Sequence, residues 1–311
     1  MMTRLGLGDM WSAGTRAVGR YTGTLLAVFV VQSIVALACM IAISAVLATT
    51  FARLPIWDEA VDGDLVALVY CIRHGKAVLY ASAGIIFGAV LLWQLASWFL
   101  VGGIYGVLAQ RPEGRGDTAR CFGASGTSTY LAYARLALCS LPGWILVLFV
   151  FGMCADLVGK RLIYALTIPQ LLGPLAIAIL PGLFLLHIMW TITDYARVEL
   201  SLRHESHDPS VVMTYVRTVF YVLRRPITLV HAGLGWLLFI VVSVGYAYLA
   251  HGHPMYGAEG AVTLFVIRQG VALARSAIRF GVLGGQIELG KTRTLPPRRI
   301  VEVKAEPKNV A

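Results

Sequence analysis

Charge is what this sequence has least of. Only 14% of its 311 residues are Asp, Glu, Lys or Arg, against roughly 25% in an average soluble domain. Acids are the scarcer sign, 16 against 26 Lys and Arg, and no pair of carboxylates stands out as acid and base of a hydrolytic site. Cysteine is equally uninformative as chemistry. Cys39, Cys71, Cys121, Cys139 and Cys154 form no CxxC pair and no metal-ligand spacing, so they read as small packing hydrophobes. The nucleophile elbow Gly-x-Ser-x-Gly is missing. Gly123-Ala124-Ser125-Gly126 lacks the Gly-Lys-Ser/Thr ending of a phosphate loop. His204-Glu205-Ser206-His207-Asp208 puts its histidines three apart, where zinc chemistry on a helix wants four. His251-Gly252-His253 reads as a solvated turn. These absences argue against an enzyme, and neither a cofactor nor a metal site is expected.

What the sequence does have is long apolar runs: 58% of its residues are hydrophobic and the mean hydropathy is +0.75. A bilayer core about 30 Å thick takes roughly 20 apolar residues at 1.5 Å each. Reading between charges yields six such runs: 22–48, 77–110, 136–155, 162–193, 226–250 and about 261–286. Lipid leaves no partner for a free backbone group, so the runs are predicted to be helices. The first is longer than a signal-peptide core and is expected to be retained. Pro169, Pro174 and Pro181 predict a kink or interruption in the fourth run. Tyr21, Tyr80, Trp190, Tyr195, Tyr246 and Tyr248 fall near run ends, where amphipathic rings favour the headgroup level.

The net charge of +10 is distributed in a way that points to a membrane rather than to nucleic acid. The N-terminal segment, the segments after the second and fourth runs, and the C-terminal tail hold 18 of the 26 basic residues. The opposite loops hold Arg53, Arg73, Lys76, Lys160 and Arg161, beside Asp58, Glu59, Asp62 and Asp64. The positive-inside rule then places both termini in the cytoplasm, and the location expected is a bacterial inner (plasma) membrane, multi-pass. The fold class expected is all-α: a polytopic membrane bundle of six transmembrane helices with short cytoplasmic amphipathic helices. Residues 1–290 form one transmembrane domain and 291–311 a basic cytoplasmic tail, near anionic headgroups or docked to a partner protein, with Pro296-Pro297-Arg298-Arg299 at its centre.

A threefold pattern runs through the domain, with candidate helix-hairpin units at 1–111, 112–203 and 204–290. Each pair of runs follows a stretch that begins near Gly8-Asp9, Gly116-Asp117 or His207-Asp208, and an Asp at a helix start favours capping. In the third stretch Val212, Val216, Val219 and Leu223 recur at helical spacing, with Arg217, Arg224 and Arg225 as a basic interfacial face. Any six-span chain with basic inner loops shares this outline, so the repeat stays one of two readings. Asp194-Tyr195-Ala196-Arg197, followed by the basic helix and Arg224-Arg225-Pro226, resembles a group of bacterial six-span inner-membrane proteins. Their architecture is similar to the membrane domain fused to some glycerophosphodiester phosphodiesterases. The resemblance covers most of the chain in layout and is specific around 194–226. It implies a membrane location and this architecture, and no activity.

Within the spans, Arg268, Arg275 and Arg279 are the unusual residues. Offsets of seven and eleven residues put them within roughly 40° of one another on a helix. An arginine at mid-bilayer costs about 2.5–3.5 kcal/mol or more, so this stripe is expected to face protein or water. It either lines a cavity for an anionic headgroup, phosphate or carboxylate, or it is structural, pairing with Asp194, with carbonyls freed by the prolines, or snorkelling to the surface. Gln32, Gln94, Gln170 and Gln269 are expected to bond between helices. Ala81, Gly84, Gly88 and Gly103 are expected to permit close helix packing. Two functions compete. One is a non-enzymatic scaffold, assembly factor or accessory subunit with protein partners in a membrane complex. The other is a transporter or lipid-handling protein using an arginine-lined cavity. Membrane lipids, anionic headgroups included, are the other partners expected.

Overall fold

The computed structural model describes residues 6–51, 76–162, 168–202, 210–251 and 258–292. These form eight helices: α1 (Leu7–Arg20), α2 (Thr22–Phe51), α3 (Lys76–Gln110), α4 (Arg115–Leu162), α5 (Ile168–Leu202), α6 (Val211–Arg224), α7 (Pro226–His251) and α8 (Ala258–Lys291). The His204–Asp208 motif, Cys71, the acidic loop and the tail from residue 293 lie outside the described residues.

Five helices are long and apolar enough to cross a membrane: α2, α3, α4, α5 and α7. Helix α8 is as long, at 34 residues, but it carries Arg268, Arg275 and Arg279. The expected boundaries agree closely for α2, α3 and α7, where a charge or proline sits at the junction. They fail for α4. Its 48 residues extend over about 72 Å at 1.5 Å per residue, more than twice a bilayer core. The stretch beginning at Gly116-Asp117 is therefore the first turns of α4 and not a separate surface helix. Nothing between Asp117 and Leu136 breaks a helix, so it runs straight into the apolar run. Helix α5 likewise passes unbroken through Pro174 and Pro181, so the expected interruption is absent. Pro169 is the second residue of α5, where a missing N–H has no partner to lose.

Packing divides the chain into two compact units, Met1–Thr22 with Val101–Ala311, and Gly23–Leu100. The second comprises most of α2 and the first two-thirds of α3. Its side chains are largely exposed, Ile34, Ile41, Phe87 and Leu92 among them, as suits helices whose solvent is hydrocarbon. A Cβ added at Gly84 or Gly88 would meet nothing within 4 Å among the described residues, so no close helix crossing is seen at these glycines among them.

The first unit is close-packed. Met10, Val147, Met189, Ile192, Tyr195, Tyr221, Val222 and Leu289 form its core. Tyr195 is thus an internal ring, 5.8 Å from that of Tyr221, and not an interfacial anchor. Two crossings depend on glycine. Helix α1 lies on α8 where a Cβ on Gly14 would strike the Gly281 carbonyl, and one on Gly284 would lie 3.0 Å from Ala17. The end of α3 lies on α4 where a Cβ on Gly103 would come within 2.7 Å of the Phe122 ring, and Cβ atoms on Gly102 and Gly106 would strike Thr129 and Ser125. Gly123 to Gly126 are helical residues of α4, not a loop.

Candidate functional site

Asp194 is fixed by α5 eight residues before that helix ends, and its side chain is only 2% exposed. An isolated carboxylate there would lose several kcal/mol of hydration, so its partners decide its state. Arg279 of α8 donates to Oδ1 at 2.6 Å. Arg197, one turn further along α5, approaches the same oxygen at 3.8 Å. Two tyrosines brace this group. Tyr105 donates to the Asp194 carbonyl at 3.3 Å, and Tyr133 lies within 3.2 Å of the Arg197 carbonyl and 2.5 Å of Ser201 Oγ. Their rings meet edge to face at 6.4 Å.

An aromatic seam joins this pair to the next arginine. The Arg279 guanidinium lies 5.5 Å from the Trp190 ring centre, Trp190 meets Trp236 edge-on at 5.6 Å, and Trp236 meets Phe239 at 5.6 Å. Arg275 closes the series, 4.2 Å from the Phe239 ring centre, and donates to Ser243 Oγ at 2.6 Å. Each cation sits on a π face, which contributes about 0.5–2 kcal/mol depending on hydration. Arg268, nearer the start of α8, is exposed and makes no ion pair among the described residues. Of the three arginines expected on one face, α5 and α7 hold Arg279 and Arg275, and the third, Arg268, is exposed.

The interfacial residues are arranged otherwise. Arg217, Arg224 and Arg225 are all exposed. Arg224 lies over Phe220 at 5.8 Å and Arg225 over Tyr221 at 4.9 Å. With those two rings they line an open concavity of about 420 Å³.

Two groups were not foreseen from the sequence. Arg111 closes α3 with a left-handed φ of 57° and pairs with Glu288 at 2.5 Å. Lys291 stands 3.9 Å from the same carboxylate. Burial pushes the Lys291 ammonium below its ordinary range, Arg111 adds to the effect, and Glu288 opposes it. Deeper in the unit, His231 and Gln286 are wholly buried, and no polar atom of either side chain has a hydrogen-bond partner among the described residues. The His231 ring rests 5.4 Å from Trp11, under Gly285, where a Cβ would crowd both His231 Nε2 and the Met10 carbonyl at 2.7 Å. Single polar residues in apolar runs carry no spacing signal, which is why pattern reading passed them over.

Among the described residues no three His, Cys, Asp or Glu side chains could together hold a metal. Fold and contacts together define an all-helical, multi-pass membrane protein. No protein-family model, curated protein or solved structure matches the chain.

Proposed function

We propose that this protein is a non-enzymatic integral membrane component, a scaffold, assembly factor or accessory subunit of a membrane complex. The observation that carries the reading is the engagement of Arg275 and Arg279 with neighbouring helices. A cavity for anions needs guanidinium forks free to take the ligand. That of Arg279 is committed to Asp194, and that of Arg275 to Ser243 and Phe239. Both contacts lock α8 to its neighbours, as a structural element requires. A transporter or lipid carrier would have to break them at each cycle.

In this reading α8 is the sixth crossing, with Arg275 and Arg279 turned toward α7 and α5 rather than lipid. The protein sits in a bacterial inner membrane with both ends cytoplasmic, and α1 and α6 are amphipathic helices at the inner surface. The distribution of basic residues supports that orientation, as does the resemblance around 194–226. Reporter fusions after Leu202 and Lys291 should read as cytoplasmic and one after His251 as external; a cytoplasmic readout after His251 overturns the six-span topology. Purification of the full chain from its native membrane in mild detergent tests the scaffold role. A membrane protein should co-purify in fixed stoichiometry, and recovery of the chain alone would count against the reading.

A further inference from the structure

Helix α6 is built the wrong way round for a helix that faces water. Its hydroxyls point inward: Thr214 and Thr218 are wholly buried, and Thr218 bonds to Glu199 Oε2 at 3.3 Å. Its apolar side chains point out. Val212, Met213, Val216, Phe220 and Leu223 are each 42–56% exposed. At 100° per residue the five occupy an arc of about 100°, and Arg217 and Arg224 border it about 20–40° further round. Scattered apolar residues on a surface need no explanation, but a continuous stripe does.

The concavity stands at the edge of that stripe. Arg224 and Arg225 are oriented by the Phe220 and Tyr221 rings, and none of the three arginines makes an ion pair among the described residues. The concavity is open to the outside, about 420 Å³ in volume, as suits a headgroup held at a surface rather than a ligand enclosed in a pocket. The chain turns at Arg225 straight into Pro226, the first residue of a crossing helix, so the arginines stand at the level where hydrocarbon gives way to headgroups. An occupant must present an anion to the arginines and hydrocarbon to the adjoining stripe. Inorganic phosphate offers only the first, and an apolar protein face only the second. The carbonyl end of a helix repels anions, so the guanidinium forks rather than the backbone must hold the charge.

We propose that Arg217, Arg224 and Arg225 bind the phosphate of an anionic phospholipid whose acyl chains lie along the Val216–Phe220–Leu223 stripe. The inference rests on the membrane placement above but not on the scaffold role, and it holds whether or not a protein partner is found.

The test is native mass spectrometry of the purified full chain titrated with phosphatidylglycerol, with phosphatidylcholine, with inorganic phosphate and with a Glu-rich peptide. Expected is one retained phosphatidylglycerol, held at least tenfold tighter than phosphatidylcholine and not displaced by equimolar phosphate or peptide. Each arginine is worth about fivefold in anionic-lipid affinity, so R217A/R224A/R225A should lower it on the order of 100-fold. R217K/R224K/R225K should fall between that variant and the wild-type chain, because Lys preserves the charge but not the bidentate fork. Equal retention of the two lipids by the wild-type chain would overturn the proposal without recourse to any variant. Displacement by equimolar phosphate would make this a small-anion site, and displacement by the peptide a protein-docking one; either result sinks it. Loss of the scaffold reading would look different: no stoichiometric protein, with lipid selectivity intact.

Discussion

The arginines of α8 and those of α6 differ in what surrounds them before any ligand arrives. Arg279 lies against a carboxylate that is 2% exposed, and Arg275 against a hydroxyl and a phenyl ring. Arg217, Arg224 and Arg225 rest on rings or solvent, with no opposing charge among the described residues. A guanidinium inside the bundle must be matched internally because hydrocarbon offers it nothing. One at the surface can be left unmatched, because water hydrates it until an anion arrives. The same side chain is thus a fastener in one place and a receptor in the other.

The largest effect should come from breaking the fastener. Asp194→Ala leaves Arg279 beside a hole, and removing one partner of a fully buried pair costs about 3–5 kcal/mol. Because the Arg279 side chain is itself 39% exposed, the loss should lie at the lower end of that range. Thermal unfolding of the purified variant in detergent would show it. Adding Arg279→Met should restore most of the loss, since replacing both charges by apolar groups is close to neutral. If Asp194→Ala alone loses under about 1 kcal/mol, Arg279 is held by something else and the contrast with α6 fails.

Next in size is the support beneath α8. Gly14 is the residue of α1 whose backbone meets the Gly281 carbonyl, and Gly14→Ala forces the two helices apart. Overpacking of this kind costs about 1–3 kcal/mol. Gly84→Ala is the control, because its Cβ enters open space, and exchanging Gly for Ala within a helix should gain about 1 kcal/mol. Equal losses in both variants would show that the α1–α8 crossing is not where the unit is tight.

Much of this was legible in the sequence, and the failures have physical causes. Spans bounded by a charge or proline, such as Ala77 to Gln110, were read to within a residue, because the charge sets where hydrocarbon ends. The proximity of Asp194 and Arg279 followed from the cost of leaving either alone in lipid. The extent of α4 did not, because hydropathy measures where a helix is apolar and not where it begins. Gly84 and Gly103 look alike in sequence, yet among the described residues only Gly103 lies against a neighbouring helix. Spacing identifies a candidate contact but cannot supply its partner. His231, Gln286 and the Arg111–Glu288 pair join segments far apart in the chain, where no local period links them.

A smaller effect than that of Asp194→Ala is expected at Arg275. Ser243→Ala removes one hydrogen bond to a charged group and should cost about 1.5–3 kcal/mol if the guanidinium finds no replacement. The Phe239 ring 4.2 Å away remains and still holds the charge, but hydrocarbon at this depth offers the freed donor no partner. The loss should therefore stay within that range. Adding Phe239→Leu should deepen it by a further ~0.5–2 kcal/mol, the worth of a cation–π contact. A double variant no worse than Ser243→Ala alone would mean that the ring adds nothing.

The smallest expected effect is the most informative about the comparison. R217A/R224A/R225A removes three charges from α6, yet each is exposed and none has an ion pair to lose among the described residues. Surface changes away from caps and buried networks usually alter stability by no more than about 0.5 kcal/mol. In lipid-free detergent the triple variant should therefore unfold with the wild-type chain, the stacked stems over Phe220 and Tyr221 accounting for any small deficit. In phosphatidylglycerol-containing micelles the wild-type chain should gain stability through mass action, and the variant should not. Asp194→Ala should behave in the opposite sense, losing stability in both media while still gaining from the lipid. Two variants that respond alike to lipid would erase the distinction between a matched arginine and an open one. Opposite responses would place lipid recognition on α6 and structural support on α8.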